Sequence, residues 1–202
     1  MPTDPTSDEH DEKARLRREI RAKRLALPAE KAHAAAIRAV HRLWSLPFLS
    51  RARSVALYLP VGGELDCTPL AVQAWRRGRA TFLPVVTGDS LRFAPFGADS
   101  ELLPNRFGIL EPTVSVRHWV GARQLDVIVA PLVAFDEHAN RLGMGGGFYD
   151  RTLGFLIQRS LRRRPHFVAL AFEMQKIATL PAHAWDVQLD AVVTEERTYR
   201  ST

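Results

Sequence analysis

The run LDVIVAPLVAF at positions 125–135 constrains the fold more than any other stretch of the chain. Its apolar residues follow one another without the polar alternation of a strand that shows one face to water. Such a strand belongs in the interior of a sheet covered on both faces, which requires strands alternating with helices. SVALYLP (54–60), ATFLPVV (80–86), LRFAPF (91–96), HFVALAF (166–172) and LDAVVTE (189–195) read as further strands. Helical spacing covers 13–27, 29–46, 67–78 and 148–163, the last ending in Arg162-Arg163-Arg164 before Pro165. The predicted fold is therefore α/β, with three α/β/α layers around a mainly parallel central sheet. No internal repeat or second core is visible. A single domain over 13–202 is expected, with helices at 13–46 packed on the α/β core. Segment 97–124 reads mostly as loop, and residues 1–12 as a disordered acidic tail.

Composition narrows the partners. Asp4, Asp8, Glu9, Asp11 and Glu12 crowd the first twelve residues, leaving 28 basic against 17 acidic side chains beyond them, a surplus of +11. That surplus suits an anionic ligand, although a general bias toward arginine produces the same number. A single cysteine, Cys67, forms no intrachain disulfide, which sets the expectation of a reducing, cytoplasmic setting. No leader and no apolar run long enough to span a bilayer is seen. No zinc spacing, no Ser/His/Asp or Cys/His nucleophile pattern and no nucleic-acid motif appears, so neither membrane nor nucleic acid is an expected partner.

The densest chemistry lies in RLGMGGGFYDR (141–151), where four of the twelve glycines occupy five positions before an aromatic pair, a carboxylate and an arginine. It follows a strand and opens a helix, where an open α/β sheet places its ligand crevice. Glycines allow positive φ and close approach of amide groups to an anion, and the helix N-terminus adds unpaired donors. The spacing matches neither GxxxxGK[ST] nor GxGxxG, so a phosphate cradle and a plain turn both stand. Asp150 suits the dipole of a first helical turn or a Mg²⁺ site. Asp186, in HAWDVQLD, reads as a second carboxylate ligand or a loop cap. Lys13 and Arg17, one turn apart, read as a phosphate clamp or a solvated face. Glu64, after two glycines at the end of strand 54–60, either accepts hydrogen bonds from a heterocycle or is simply exposed.

APLVAFDEHANRLGMGGGFYDR (130–151) resembles the signature of the 5-formyltetrahydrofolate cyclo-ligase family, also called 5,10-methenyltetrahydrofolate synthetases. KARLR (13–17), LYLPVGGELD (57–66), LLPNRFGILEP (102–112), VALAFEMQ (168–175) and LPAHAWDVQLDAVVTE (180–195) match in family order. The resemblance implies a cytoplasmic, monomeric enzyme on a fold similar to the ribose-5-phosphate isomerase and CoA-transferase group. It would use ATP and Mg²⁺ to convert 5-formyltetrahydrofolate into 5,10-methenyltetrahydrofolate. By the same resemblance Lys13, Arg17, Arg141, Gly143, Gly145, Gly146, Gly147, Phe148 and Tyr149 meet the nucleotide, with Arg141 and Tyr149 catalytic. Asp150 and Asp186 hold the metal, and Leu59, Glu64 and Phe107 contact the folate. Asn140 stands where the family has glycine, in a turn expected to need a left-handed residue, and Phe148 replaces a tyrosine. A non-catalytic folate- or nucleotide-binding relative is the alternative, but Lys13, Glu64, Asp150 and Asp186 are all retained. Phosphoryl transfer needs positioning and charge neutralisation rather than a covalent nucleophile, which fits the missing nucleophile pattern.

Overall fold

In the computed structural model, residues 7–157, 165–181 and 183–201 are described. Seven strands form one sheet in the order β11-β10-β9-β6-β1-β2-β3. They are β1 (Ser54–Ala56), β2 (Ala80–Thr87), β3 (Ser90–Phe96), β6 (Val127–Ala130), β9 (His166–Leu170), β10 (Ala191–Val193) and β11 (Thr198–Arg200). Strands β10, β9, β6, β1 and β2 run parallel, and β3 and β11 close the two edges antiparallel. Every residue of β6 is buried, because alternate side chains face two different cores. Val127 and Val129 join one with Val55, Val168 and Leu170; Ile128 and Ala130 join the other with Phe167 and Ala169. The α/β, mainly parallel architecture follows from that two-sided burial.

One layer is formed by α2 (Ala29–Trp44), α3 (Pro47–Arg51) and α4 (Thr68–Arg76), whose Ala36, Val40, Leu43, Leu49 and Leu70 are buried against the sheet. On the other side α5 (Phe148–Leu153) and a following 3-10 turn contribute Leu153 and Leu156. Strand β1 is hydrogen-bonded to β2 on one side and to β6 on the other, so the chain reverses its direction of travel across the sheet between β1 and β6. The loops beyond the carboxyl ends of β1 and β6 therefore flank the switch-point crevice, the place where open α/β sheets bind ligands.

Several local expectations are corrected. The apolar run 125–135 is not one strand. Pro131, which has no N–H to donate to a ladder, ends β6. The chain then turns into β7 (Ala134–Phe135), which pairs antiparallel with β8 (Arg141–Leu142) in a separate two-stranded sheet. The first helix, α1 (Ser7–Leu25), begins within the segment read as a disordered tail. Acidic residues in the opening turns of a helix are favoured by its dipole, and Glu9 pairs with Lys13 one turn on at 2.7 Å. Residues 1–6 of the expected tail lie outside the described residues. Segment 97–124 holds a hairpin, β4 (Leu102–Pro104) and β5 (Leu110–Pro112), tied to β2 through Val86 N–H donating to Glu111 Oε1 at 2.9 Å. The helix expected over 148–163 leaves α geometry at Gly154, and 158–163 lie outside the described residues. Among the described residues no helix is long and apolar enough to cross a membrane.

The left-handed position before the glycine loop is Ala139 (φ 61), not Asn140. Asn140 instead donates its side-chain amide to Asp136 at 2.9 Å. Left-handed backbone costs an alanine roughly 1–2 kcal/mol, whereas the buried methyl contributes about 0.8 kcal/mol and glycine adds about 0.4–1 kcal/mol of unfolded-chain entropy. These terms nearly cancel, so Ala139→Gly is expected to shift stability by less than about 1 kcal/mol. Ala139→Val, β-branched at positive φ in a fully buried position, is expected to cost more than about 2 kcal/mol. Equilibrium denaturation of the two variants checks that order.

Candidate functional site

The glycine loop leaves β8 and enters α5 through Gly147, which is left-handed (φ 64) at the helix N-cap. A β-carbon there would stand 2.5 Å from Nη1 of Arg151. Arg151 is the loop's outer brace, donating to the carbonyls of Gly146 and Asp89, each at 2.6 Å. On the inner side Arg17 donates from Nε to the Gly143 carbonyl at 2.9 Å, and its guanidinium lies beside Gly145 (φ 103). Partial burial pulls the Arg17 guanidinium below its ordinary value, and no carboxylate lies within ion-pair distance of it among the described residues. One cation without a counter-ion thus rests directly on the loop that resembles a phosphate cradle.

Arg141 supplies a second cation. Its side chain is 6% exposed, pairs through Nη2 with Asp150 Oδ1 at 2.6 Å and donates through Nη1 to the Val187 carbonyl. The guanidinium lies over the Phe167 ring, 4.8 Å from its centroid. Asp150 Oδ1 also accepts the Val187 N–H at 3.1 Å, which brings it to the peptide beside Asp186. Asp186 caps its own turn, Oδ2 accepting the His183 N–H at 2.9 Å. Each carboxylate therefore keeps one oxygen with no hydrogen-bond partner among the described residues. Mg²⁺ takes one or two protein carboxylates when phosphate and water complete its shell, so carboxylates with a free oxygen are of the type that suits that ion. No group of three or more His, Cys, Asp or Glu residues suited to a metal occurs among the described residues.

Lys13 lies at the edge of this cluster. Its Nζ is 2.7 Å from Glu9 Oε1 and 2.9 Å from His183 Nε2, and Glu9 Oε1 is 2.8 Å from the same His183 nitrogen. The hydrogen bond from Lys13 holds the Glu9 carboxyl below its ordinary range. The His183 ring stacks on Trp185, centroids 4.6 Å apart. Tyr149 stacks on Phe167 at 6.0 Å, and burial pushes its phenol well above the ordinary value, with the Glu64 carboxylate adding and Arg141 opposing. It stays protonated at physiological pH. Phe148 meets Phe107 edge to face at 6.0 Å, so the tip of the β4–β5 hairpin reaches the glycine loop.

At the end of β1, Leu59 packs against the core on the α2 side, while Glu64 turns back so that Oε2 accepts the Val61 N–H at 3.1 Å. Burial raises the Glu64 carboxyl, offset by that hydrogen bond and by Arg24 and Arg21. For a carboxyl whose folded pKa is raised, the folded state holds the extra proton, so stability falls as pH rises through that value. Glu64→Gln is expected to melt above wild type at neutral pH. The difference should vanish as pH falls to about 4.3, the unperturbed glutamate value; thermal melts across that range check it. Cys67 is buried and its thiol is pushed up to about 12 by that burial, which leaves it unreactive.

The structure thus joins Arg17, Gly143 and Gly145; Arg141 and Asp150; and Phe107 and Phe148. It places Lys13 on the loop that carries Asp186 rather than on the glycines. Sequence reading passed over Glu9, Arg24, Asp136 and His183 as site residues. Of these, Arg24 had a signal: it repeats the face of α1 that carries Lys13, Arg17 and Ile20.

Fold and site together define an α/β protein in which Arg17 rests on the glycine loop, and Arg141 and Asp150 pair where that loop enters α5. Residues 9–195 match the 5-formyltetrahydrofolate cyclo-ligase family, and the chain belongs to that family and is a ligase. The 5-formyltetrahydrofolate cyclo-ligase of Escherichia coli (strain K12) is 40% identical over 183 residues, covering 89% of this chain and 98% of that protein. The enzyme of the same name from Haemophilus influenzae is 37% identical over 177 residues, covering 86% and 92%. Among solved structures, Aquifex aeolicus 5,10-methenyltetrahydrofolate synthetase superposes with a TM-score of 0.78 at 34% identity, covering 93% of this chain and 92% of that one.

Proposed function

We propose that the chain converts 5-formyltetrahydrofolate into 5,10-methenyltetrahydrofolate, with ATP as co-substrate and Mg²⁺ as cofactor. The observation that carries this reading is the pairing of two sub-sites. Arg17 rests on the glycine loop and Arg141 pairs with Asp150 at the start of α5, while Glu64, in the loop after β1, is near enough for its charge to raise the Tyr149 phenol. The formyl oxygen is a poor leaving group until it accepts the γ-phosphoryl group. N10 then forms its bond to the formyl carbon and loses its proton, while the oxygen departs as inorganic phosphate and ADP is left. Mg²⁺, when bound, neutralises phosphate charge and orients the transferring group.

In this reading Asp150 and Asp186 offer their free oxygens to the metal, and Gly143, Gly145, Gly146 and Gly147 bring backbone close to the phosphates. Lys13, Arg17 and Arg141 neutralise charge as it develops, a role that gains strength where water is excluded. Arg141 is preorganised by two fixed acceptors, so it needs no rearrangement at the moment of transfer. Tyr149 donates its hydroxyl proton as a hydrogen bond, Glu64 accepts from pterin N–H groups, and Leu59, Phe107 and Phe148 supply apolar contact to the rings.

Purified protein with ATP, Mg²⁺ and 5-formyltetrahydrofolate is expected to generate the absorbance of the methenyl product, and chelation of Mg²⁺ to stop it. No ATP-dependent rise in absorbance would overturn the reading.

A further inference from the structure

Arg24 is buried to 3% exposure. It stands in the last turn of α1 yet faces inward. Nη1 donates to the Leu132 carbonyl and Nη2 to the Gly62 carbonyl, both at 3.1 Å. Nε is buried with no partner, and no carboxylate lies within ion-pair distance among the described residues. A buried guanidinium without a direct ion pair is costly even with the Glu64 carboxylate offsetting part of it from a distance, and a carbon chain of similar volume would fill the space without that cost.

The two carbonyls identify what the charge secures. Gly62 belongs to the loop after β1 that ends in Glu64, and Leu132 lies just past the end of β6. Arg24 therefore clasps the two walls of the switch-point crevice. Gln175 completes the clasp from β9's side, its Nε2 donating to the carbonyls of Leu132 and Val133 at 3.0 and 2.8 Å. These carbonyls need side-chain donors because Pro131 has ended the β6 ladder. The glycines of VGGE serve the same contact. A β-carbon on Gly63 (φ 77) would stand 3.4 Å from the Arg24 backbone and Cβ, so the loop lies directly on the helix.

We propose that Arg24 is a positioning residue for the folate half of the site, holding the Glu64 loop against the end of β6. It rests on the reading that Glu64 takes the pterin. Arg24 follows Lys13 by eleven residues on the same helical face, about 16 Å along the axis. Helix α1 thus serves the phosphate end of the crevice with Lys13 and Arg17, and the folate end with Arg24.

The test is a pair of Michaelis constants together with direct folate binding. Arg24→Lys keeps the charge but cannot bridge two carbonyls. It is expected to raise the folate KM and the dissociation constant for 5-formyltetrahydrofolate about tenfold or more, with the ATP KM unchanged within about twofold. Lys13→Ala should show the opposite split. Free guanidinium ion, added below denaturing concentrations, should restore folate affinity to Arg24→Ala and leave Arg24→Lys unaffected. If the lysine variant folds and matches wild type in folate affinity, or if both KM values rise together, the assignment is overturned. Failure of both variants to fold makes the clasp purely structural and overturns it too. A wild-type chain that neither binds nor converts the folate overturns the functional reading itself, and the assignment with it.

Discussion

Arg141→Ala is expected to lower kcat by about 10²- to 10³-fold, the usual consequence of removing one preorganised donor that stabilises transition-state charge. The side chain is almost buried, its two terminal nitrogens are committed to Asp150 and Val187, and its plane lies over Phe167. Arg141→Lys should recover little, because an ammonium cannot hold both acceptors in one plane. The loss should not be a folding defect. Breaking a buried pair costs about 3–5 kcal/mol, but Asp150 keeps 28% exposure and is rehydrated, so about 1–2 kcal/mol is expected. Steady-state kinetics on variants whose melting is measured in parallel separate the two effects. A kcat within tenfold of wild type would remove Arg141 from the charge-stabilising role.

Asp136→Ala is expected to destabilise the chain by about 3–5 kcal/mol, or to prevent soluble protein from accumulating. The residue is completely buried. Its Oδ1 accepts the N–H groups of His138 and Asn140, each at 3.0 Å, and Oδ2 accepts the Asn140 side-chain amide at 2.9 Å and the Leu180 N–H at 3.1 Å. Truncation leaves the backbone donors of His138 and Asn140, partly buried, and of Leu180, fully buried, without their acceptor, each costing up to about 1–3 kcal/mol before relaxation. Asp136→Asn keeps one acceptor oxygen and turns an NH₂ toward other donors, so it should fall between wild type and alanine. Denaturant midpoints give the order. Because Leu180 opens the LPAHAWD loop, the alanine variant should also disturb Lys13, His183 and Asp186.

Strands β6, β9 and β10 were legible as apolar runs because parallel strands buried on both faces leave that mark. The glycine loop was legible because close approach and positive φ restrict the residue type. Other features depended on partners distant in sequence. Strands β4 and β5, three residues each, carry no periodicity and exist through cross-strand pairing and the bonds of Asn105 and Glu111. The helical start at Ser7 was hidden by acidic residues that also describe disorder. The turn before the glycines was expected to place Asn140 in the left-handed region, yet that position is Ala139, while Asn140 is held by the buried Asp136 carboxylate.

The sequence by itself determined the α/β class, the family and the loop where phosphate chemistry is proposed, since burial pattern and glycine spacing are properties of contiguous residues. Tertiary structure alone decided that Arg141 pairs with Asp150, that Lys13 meets Glu9 and His183, and that Arg24 and Asp136 are buried. A charge can leave water only where donors or acceptors from remote segments converge on it, and that convergence exists only once the sheet has brought those segments together.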